Sequence, residues 1–104
     1  MYKIALICEH GASTGMCVQK MIEASAKLGI ECKIGAHSAA NFENIANEMD
    51  SLLFGPQLAY RLEPFKKKYP EYAKKMSVIN SMDFGMMDGE KILKNTIALI
   101  EGKS

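Results

Sequence analysis

Four short apolar runs, each closed by a turn signal and separated from the next by residues at helical spacing, constrain this chain most. Residues 3–8 read as a buried strand, because Ile4-Ala5-Leu6-Ile7-Cys8 runs straight into a glycine-containing turn. Residues 14–28 predict a helix with Cys17, Val18, Met21, Ala24, Ser25 and Leu28 on one face and Gly29 as its stop. Residues 30–34 alternate as a second strand, and Ser38 is placed to cap a helix with Phe42, Ile45, Ala46 and Met49 inward. The third strand, 51–54, is cut off by Gly55-Pro56. Two short helices follow, with Leu58, Leu62 and Phe65 at helical spacing and Pro64 opening the second. Residues 76–79 form the fourth strand and 80–88 a loop. A last helix then turns Ile92, Leu93, Ile97 and Ile100 inward, with Asp88 near its start.

Strands alternating with helices build βαβ units, whose right-handed crossovers give a parallel sheet. The expected fold is therefore α/β: a doubly wound, four-stranded parallel sheet in the order 2-1-3-4 with helices on both faces. A chain of 104 residues, 48% of them hydrophobic, fits one domain over 1–104, and no linker or repeat divides it. Ligands of such sheets bind beyond the carboxyl ends of the strands, where the winding reverses. Here that point lies between strands 1 and 3, beside both Cys8 and Gly55-Pro56-Gln57.

Composition removes several function classes. A formal net charge of +1 provides no broad field, and with no tryptophan there is no stacking platform for bases, so no nucleic-acid partner is expected. No apolar run approaches the ~20 residues of a membrane span, and the opening residues lack the basic region and cleavage site of a signal peptide. A cytoplasmic protein is expected. The three cysteines, Cys8, Cys17 and Cys32, form neither a CxxC pair nor an even disulfide set. Cys17 and Cys32 fall on inward-facing positions and are read as packing residues. Cys8, His10 and His37 have no conventional ligand spacing, so no metal and no cofactor are expected.

Cys8 differs from the other two because it ends a strand and precedes Glu9-His10-Gly11-Ala12-Ser13-Thr14-Gly15, after which helical spacing begins. A strand-to-helix turn offers free backbone N–H groups and the positive end of a helix dipole, which favour a thiolate and any dianion attached to it. The same donors would stabilise the equatorial oxygens of a transferring phosphoryl group. Gly11 and Gly15 would let the backbone curl close to that ligand.

Cys8-x-x-Gly11-x-Ser13-Thr14, Leu53-Phe54-Gly55-Pro56-Gln57-Leu58-Ala59-Tyr60, and Val78-Ile79-Asn80-Ser81 followed by Phe84-Gly85 and Asp88-Gly89 together resemble the lactose/cellobiose-type IIB component of the bacterial phosphoenolpyruvate-dependent sugar phosphotransferase system. The likeness runs in order over nearly the whole chain. It implies a phosphoryl-carrier domain: a IIA protein passes phosphate from a phosphohistidine to Cys8, and Cys8 then phosphorylates a sugar, expected to be a disaccharide, held by the membrane permease IIC. The protein would associate peripherally with that permease. The resemblance makes Cys8 the phosphorylated residue, Glu9 to Gly15 the phosphate-wrapping segment with help from the Ser13 and Thr14 hydroxyls, and Gln57 a supporting residue. Glu9 and His10 depart from the small residues usual in the family. Glu9 would repel a dianion unless it points away.

Two other classes share parts of this pattern. A low-molecular-weight phosphatase or arsenate-reductase-like enzyme would use the same thiolate and turn, but it requires Cys-x5-Arg, and the residue six after Cys8 is Thr14. The one arginine, Arg61, lies in a predicted helix. A receiver module would need acidic residues after strand 1 and an aspartate at the end of strand 3, where Phe54-Gly55 stands, and a flavodoxin-like flavin binder would use a hydroxyl-rich first loop, of which Ser13-Thr14 is a faint echo. Lys66-Lys67-Lys68 and Lys74-Lys75 read as solvated faces, with docking to an acidic surface as the alternative. Met82, Met86 and Met87 fall near the expected active edge, where they either cover the core or meet partners.

Overall fold

Strands β1 (Tyr2–Cys8), β2 (Cys32–Ser38), β3 (Ser51–Phe54) and β4 (Met76–Val78) form one parallel sheet in the order β2-β1-β3-β4 in the computed structural model. Residues 1–9 and 11–102 are described, with the side chains of 11–13 outside that description. The expected topology is the observed one. β1 lies between β2 and β3, which pair both its edges, and its two faces are covered by packing on opposite sides of the sheet. That is why it reads as a continuous apolar run and not as an alternation.

The period-2 pleat divides the core between the two faces. Ile4 and Leu6 turn to the side carrying the long helix α1 (Gly11–Leu28) and the C-terminal helix α5 (Gly89–Ile100), where they meet Cys17, Met21, Ile92 and Leu93. Ala5 and Ile7 turn to the other side and meet Phe42, Ala46, Phe54 and Leu58. That second side is built from the short helices α2 (Phe42–Ile45) and α3 (Leu62–Lys68) together with 3-10 turns. Its centre is aromatic: Phe65 stands edge-on to Phe42 at 5.0 Å and to Phe54 at 5.3 Å, and Tyr69 lies 5.0 Å from Phe42. Each such pair contributes roughly 0.5–1.5 kcal/mol beyond its buried area, which offsets the short length of these helices.

Several boundaries differ from the sequence expectation. α1 begins at Gly11, not at residue 14, so all but the first two residues of the expected 9–15 loop belong to the head of the helix. Leu28 is 36% exposed and does not join the inner face, although Cys17, Val18, Met21, Ala24 and Ser25 are buried. β2 runs from Cys32 to Ser38, beyond the expected 30–34. Gly35-Ala36-His37-Ser38 has weak strand propensity, and it is pairing with Ala5 to Cys8 of β1 that extends it. Pro64 is the third residue of α3 and does not open it. It is tolerated there because first-turn N–H groups need no partner within the helix.

The expected 80–88 loop contains a further helix, α4 (Ser81–Gly85). Asn80 caps it, its Oδ1 accepting from the N–H groups of Met82 at 2.9 Å and Asp83 at 3.1 Å. Met87 then takes a left-handed conformation, φ 53°, which turns the chain into α5. Asp88, expected near the start of the last helix, caps α5, accepting from the Lys91 N–H.

Candidate active site

Cys8 is the last residue of β1, opposite Ser38 of β2, and is 7% exposed. Its thiol donates to the His37 carbonyl at 3.8 Å. Glu9 leaves the strand and α1 starts two residues later, at Gly11. His10 and the side chains of Ala12 and Ser13, all part of the expected phosphate-wrapping segment, lie outside the described residues. Four N–H groups at the start of any α-helix have no partner within it, and in α1 that end lies next to the carboxyl end of the central strand. Cys8 is therefore set between a strand end and the electropositive end of an 18-residue helix.

Thr14, at the head of α1, is 1% exposed, and its Oγ1 has no hydrogen-bond partner among the described residues. Leaving a buried hydroxyl unpaired costs about 1–3 kcal/mol, so such a group calls for a reason of its own. Among the described residues Ser77 Oγ, on the edge strand β4, is the other one. A Cβ at Gly15 would meet nothing within 4 Å, so the helix faces open space at that position.

β3 ends next to the site. The Gly55 N–H donates to the Ile7 carbonyl at 3.4 Å, which ties the start of the Gly-Pro-Gln segment to β1 one residue before Cys8. Gln57 is exposed and folds back, so that a Cβ on Gly55 would lie 3.0 Å from its Oε1. A side chain at position 55 would displace this amide. The glycine thus keeps the Gln57 carboxamide close to the end of β3.

On the aromatic side of the sheet a cleft of about 470 Å³ opens, lined by Glu9, Ser38, Glu43, Arg61, Lys68 and Tyr69 among others. In it the guanidinium of Arg61 is ion-paired with Glu9 and lies 5.0 Å above the Phe65 ring. Sequence reasoning put Arg61 away from the Cys8 turn. The two residues are 52 positions apart, and no local spacing announces their contact.

The other two cysteines are structural in character. Cys17 is fully buried, and burial pushes its thiol up to about 11. Cys32, at the amino end of β2 and opposite Tyr2, is also shifted upward by burial. Neither lies at the carboxyl edge of the sheet.

The lactose/cellobiose-specific IIB subunit family of the phosphotransferase system matches residues 3–95. The chain belongs to this family. As a IIB component it is a phosphotransferase of sugar uptake and works with IIA and IIC partners in general. It is 32% identical over 100 residues to the oligo-beta-mannoside-specific EIIB component of Bacillus subtilis, covering 96% of this chain and 97% of that one. To the galactose-specific EIIB component of Lactococcus lactis subsp. cremoris it is 39% identical over 95 residues, covering 86% and 88%. The solution structure of a cellobiose-specific IIB component from Borrelia burgdorferi superposes with a TM-score of 0.82 at 27% identity, covering 99% of this chain and 94% of that one. A low molecular weight protein tyrosine phosphatase from Bacillus subtilis also superposes, with a TM-score of 0.66 at 10% identity over 96% and 97% of the two chains, a likeness of fold alone.

In this IIB component the carboxyl edge of the sheet is bordered by exposed apolar side chains. Met82 on α4 and Met86 just after it are 70% and 71% exposed, whereas Met87 packs against the α1/α5 core. Of the three methionines, Met87 is thus the one that covers the core. No described helix is long and apolar enough to cross a membrane.

Proposed function

We propose that this IIB chain is a single phosphoryl-carrier domain over residues 1–104 in which Cys8 accepts the phosphoryl group of a IIA phosphohistidine. The Cys8 thiolate attacks phosphorus in line: the S–P bond forms as the N–P bond breaks, and the imidazole leaves with its electron pair. In the second step a sugar hydroxyl held by the IIC permease attacks the same phosphorus. The S–P bond then breaks, the sulfur leaves with the bonding electron pair, and the hydroxyl proton is released to water as the thiolate is restored. The sugar is proposed to be a disaccharide, as the family description implies. The protein acts in the cytoplasm at the inner face of its permease, and no cofactor or metal takes part.

The observation that carries this reading is the buried Thr14 hydroxyl, without a partner among the described residues, at the head of α1, the helix that follows the strand end bearing Cys8. A phosphoryl dianion on Cys8 would accept from that hydroxyl and from the free N–H groups at the helix start. In this proposal the segment from Glu9 to Gly15 holds the phosphate through backbone donors with help from Ser13 and Thr14, and Gln57 supports it from the end of β3. Incubation with the cognate phosphorylated IIA protein, read by intact mass and a phosphorus NMR signal in the thiophosphate range, tests the assignment. Cys8→Ser should abolish the adduct, whereas Cys17→Ala and Cys32→Ala should keep it. Transfer retained in Cys8→Ser would overturn it.

A further inference from the structure

Cys8 and Glu9 are consecutive, yet their side chains serve different faces of the sheet. By the alternation that sends Ile7 to the aromatic side, Cys8 turns toward the α1 side, while Glu9 lines the cleft with Arg61, Phe65 and Tyr69. Arg61 ends the 3-10 turn Pro56–Arg61 that follows the Gly55-Pro56 corner, and it is the one arginine of the chain. Its guanidinium is held from two sides, by the Glu9 carboxylate and by the face of Phe65. Phe65 is itself fixed edge-on against Phe42 and Phe54. The Arg61 side chain is 29% exposed and that of Glu9 45%, so the pair is partly screened from water.

Phosphorylation would place a charge of about −1.5 to −2 on the residue preceding this carboxylate. Successive Cα atoms are about 3.8 Å apart, so the two anionic groups stay within roughly 10 Å, about one Debye length at physiological salt. An unpaired Glu9 would oppose both arrival of the phosphoryl dianion and its second ionisation. Arginine is suited to cancel that field because it stays charged at every working pH and grips a carboxylate through a planar fork.

We propose that Arg61 is a positioning residue for phosphoryl transfer: by pairing with Glu9 it draws the carboxylate into the aromatic-side cleft and neutralises it, so that the position after the nucleophile tolerates an acidic residue. The inference rests on Cys8 being the phosphoryl acceptor. Other charged and titratable groups lining the cleft are Glu43, Lys68 and Tyr69, and they remain the same in every variant below.

The test is a phosphorus NMR titration of the phosphorylated protein, made with cognate phosphorylated IIA, for the wild type, Arg61→Met, Arg61→Lys, Glu9→Gln and the double variant Glu9→Gln/Arg61→Met. Arg61→Met leaves the carboxylate unpaired and should raise the second phosphoryl pKa by about half a unit. Glu9→Gln should lower it by a similar amount, and the double variant should return to the wild-type value. Arg61→Lys, which keeps the charge, should also stay near wild type. The transfer rate from IIA should fall several-fold in Arg61→Met, recover in the double variant, and show a smaller defect at high salt. A role confined to folding would move none of the pKa values. Equal pKa values in all five proteins would overturn the proposal, as would a double variant as impaired as Arg61→Met, which would make Arg61 a direct phosphate ligand. A wild-type protein that never acquires the S–P resonance would overturn the carrier reading itself and this inference with it.

Discussion

Gly89, the first residue of α5, abuts the Lys20 carbonyl of α1: a Cβ at position 89 would stand 2.4 Å from both the carbonyl carbon and its oxygen. Backbone cannot yield as a flexible side chain can, so Gly89→Ala must push the two helices apart. The expected cost is about 1–3 kcal/mol, the usual range for overpacking. Gly85→Ala is the control, since a Cβ there meets nothing within 4 Å and the residue lies in α4. It should leave stability unchanged or raise it by up to about 1 kcal/mol. Urea denaturation midpoints at unchanged slope would separate the two outcomes.

Thr14 allows function and stability to be moved in opposite directions. Its Oγ1 is buried with no partner among the described residues, so Thr14→Val replaces a destabilising hydroxyl by a methyl of similar size. Stability should hold or rise by about 1 kcal/mol. If the hydroxyl serves the phosphoryl group, acceptance from phosphorylated IIA should nevertheless slow by about tenfold, the equivalent of one charge-assisted hydrogen bond. A Thr14→Val protein that is more stable and accepts phosphate at the wild-type rate would remove Thr14 from the site.

How far the sequence could be read depended on how local each feature is. The strand order followed from the alternation of runs, and β1 was visible because burial on both faces leaves it almost without polar residues. Cys8 was visible because a strand end, a glycine and a helix start are contiguous. The contact between Glu9 and Arg61 was not, because it joins residues 52 apart through a fold that must exist first. The extension of β2 over Gly35 to Ser38 was hidden for the same reason, since it is imposed by β1. α4 is hidden for a different one: it is only five residues long and sits inside the 80–88 segment that reads as loop, so its main signal is Asn80, which satisfies two N–H groups of the helix. Gly89 belongs to the Asp88-Gly89 motif in the sequence, but the reason for a glycine there, the Lys20 carbonyl, lies in another helix.

Cys17 gives the protein an alkaline limit. Its thiol is pushed up to about 11 by burial, whereas an unfolded cysteine titrates near 8.5. A folded pKa above the unfolded one means that the stabilising contribution is complete below about pH 8.5 and is lost as pH rises toward 11. Denaturant midpoints should therefore fall across that window, and the fall should be shallower in Cys17→Ala. At neutral pH iodoacetamide should leave Cys17 unmodified in the native protein and label it once the chain is unfolded. Mass mapping of the alkylated peptides checks both statements, and rapid native labelling of Cys17 at pH 7 would contradict the burial.

The fold shared with a low molecular weight tyrosine phosphatase makes hydrolysis the sharpest negative control. A cysteine phosphatase must clamp phosphate with an arginine and then activate water against its phosphocysteine. Here Thr14 occupies the position six after Cys8, and the guanidinium of Arg61 is engaged by Glu9 and Phe65 on the aromatic side of the sheet. A carrier needs the opposite property, a phosphocysteine that waits for its sugar acceptor. The protein given p-nitrophenyl phosphate should release nitrophenol no faster than buffer alone, and its phosphorylated form should survive desalting and remain visible by intact mass. Multiple turnover that disappears in Cys8→Ser would show that water reaches the phosphocysteine productively, and the site would then be working as a hydrolase despite the missing arginine in its turn.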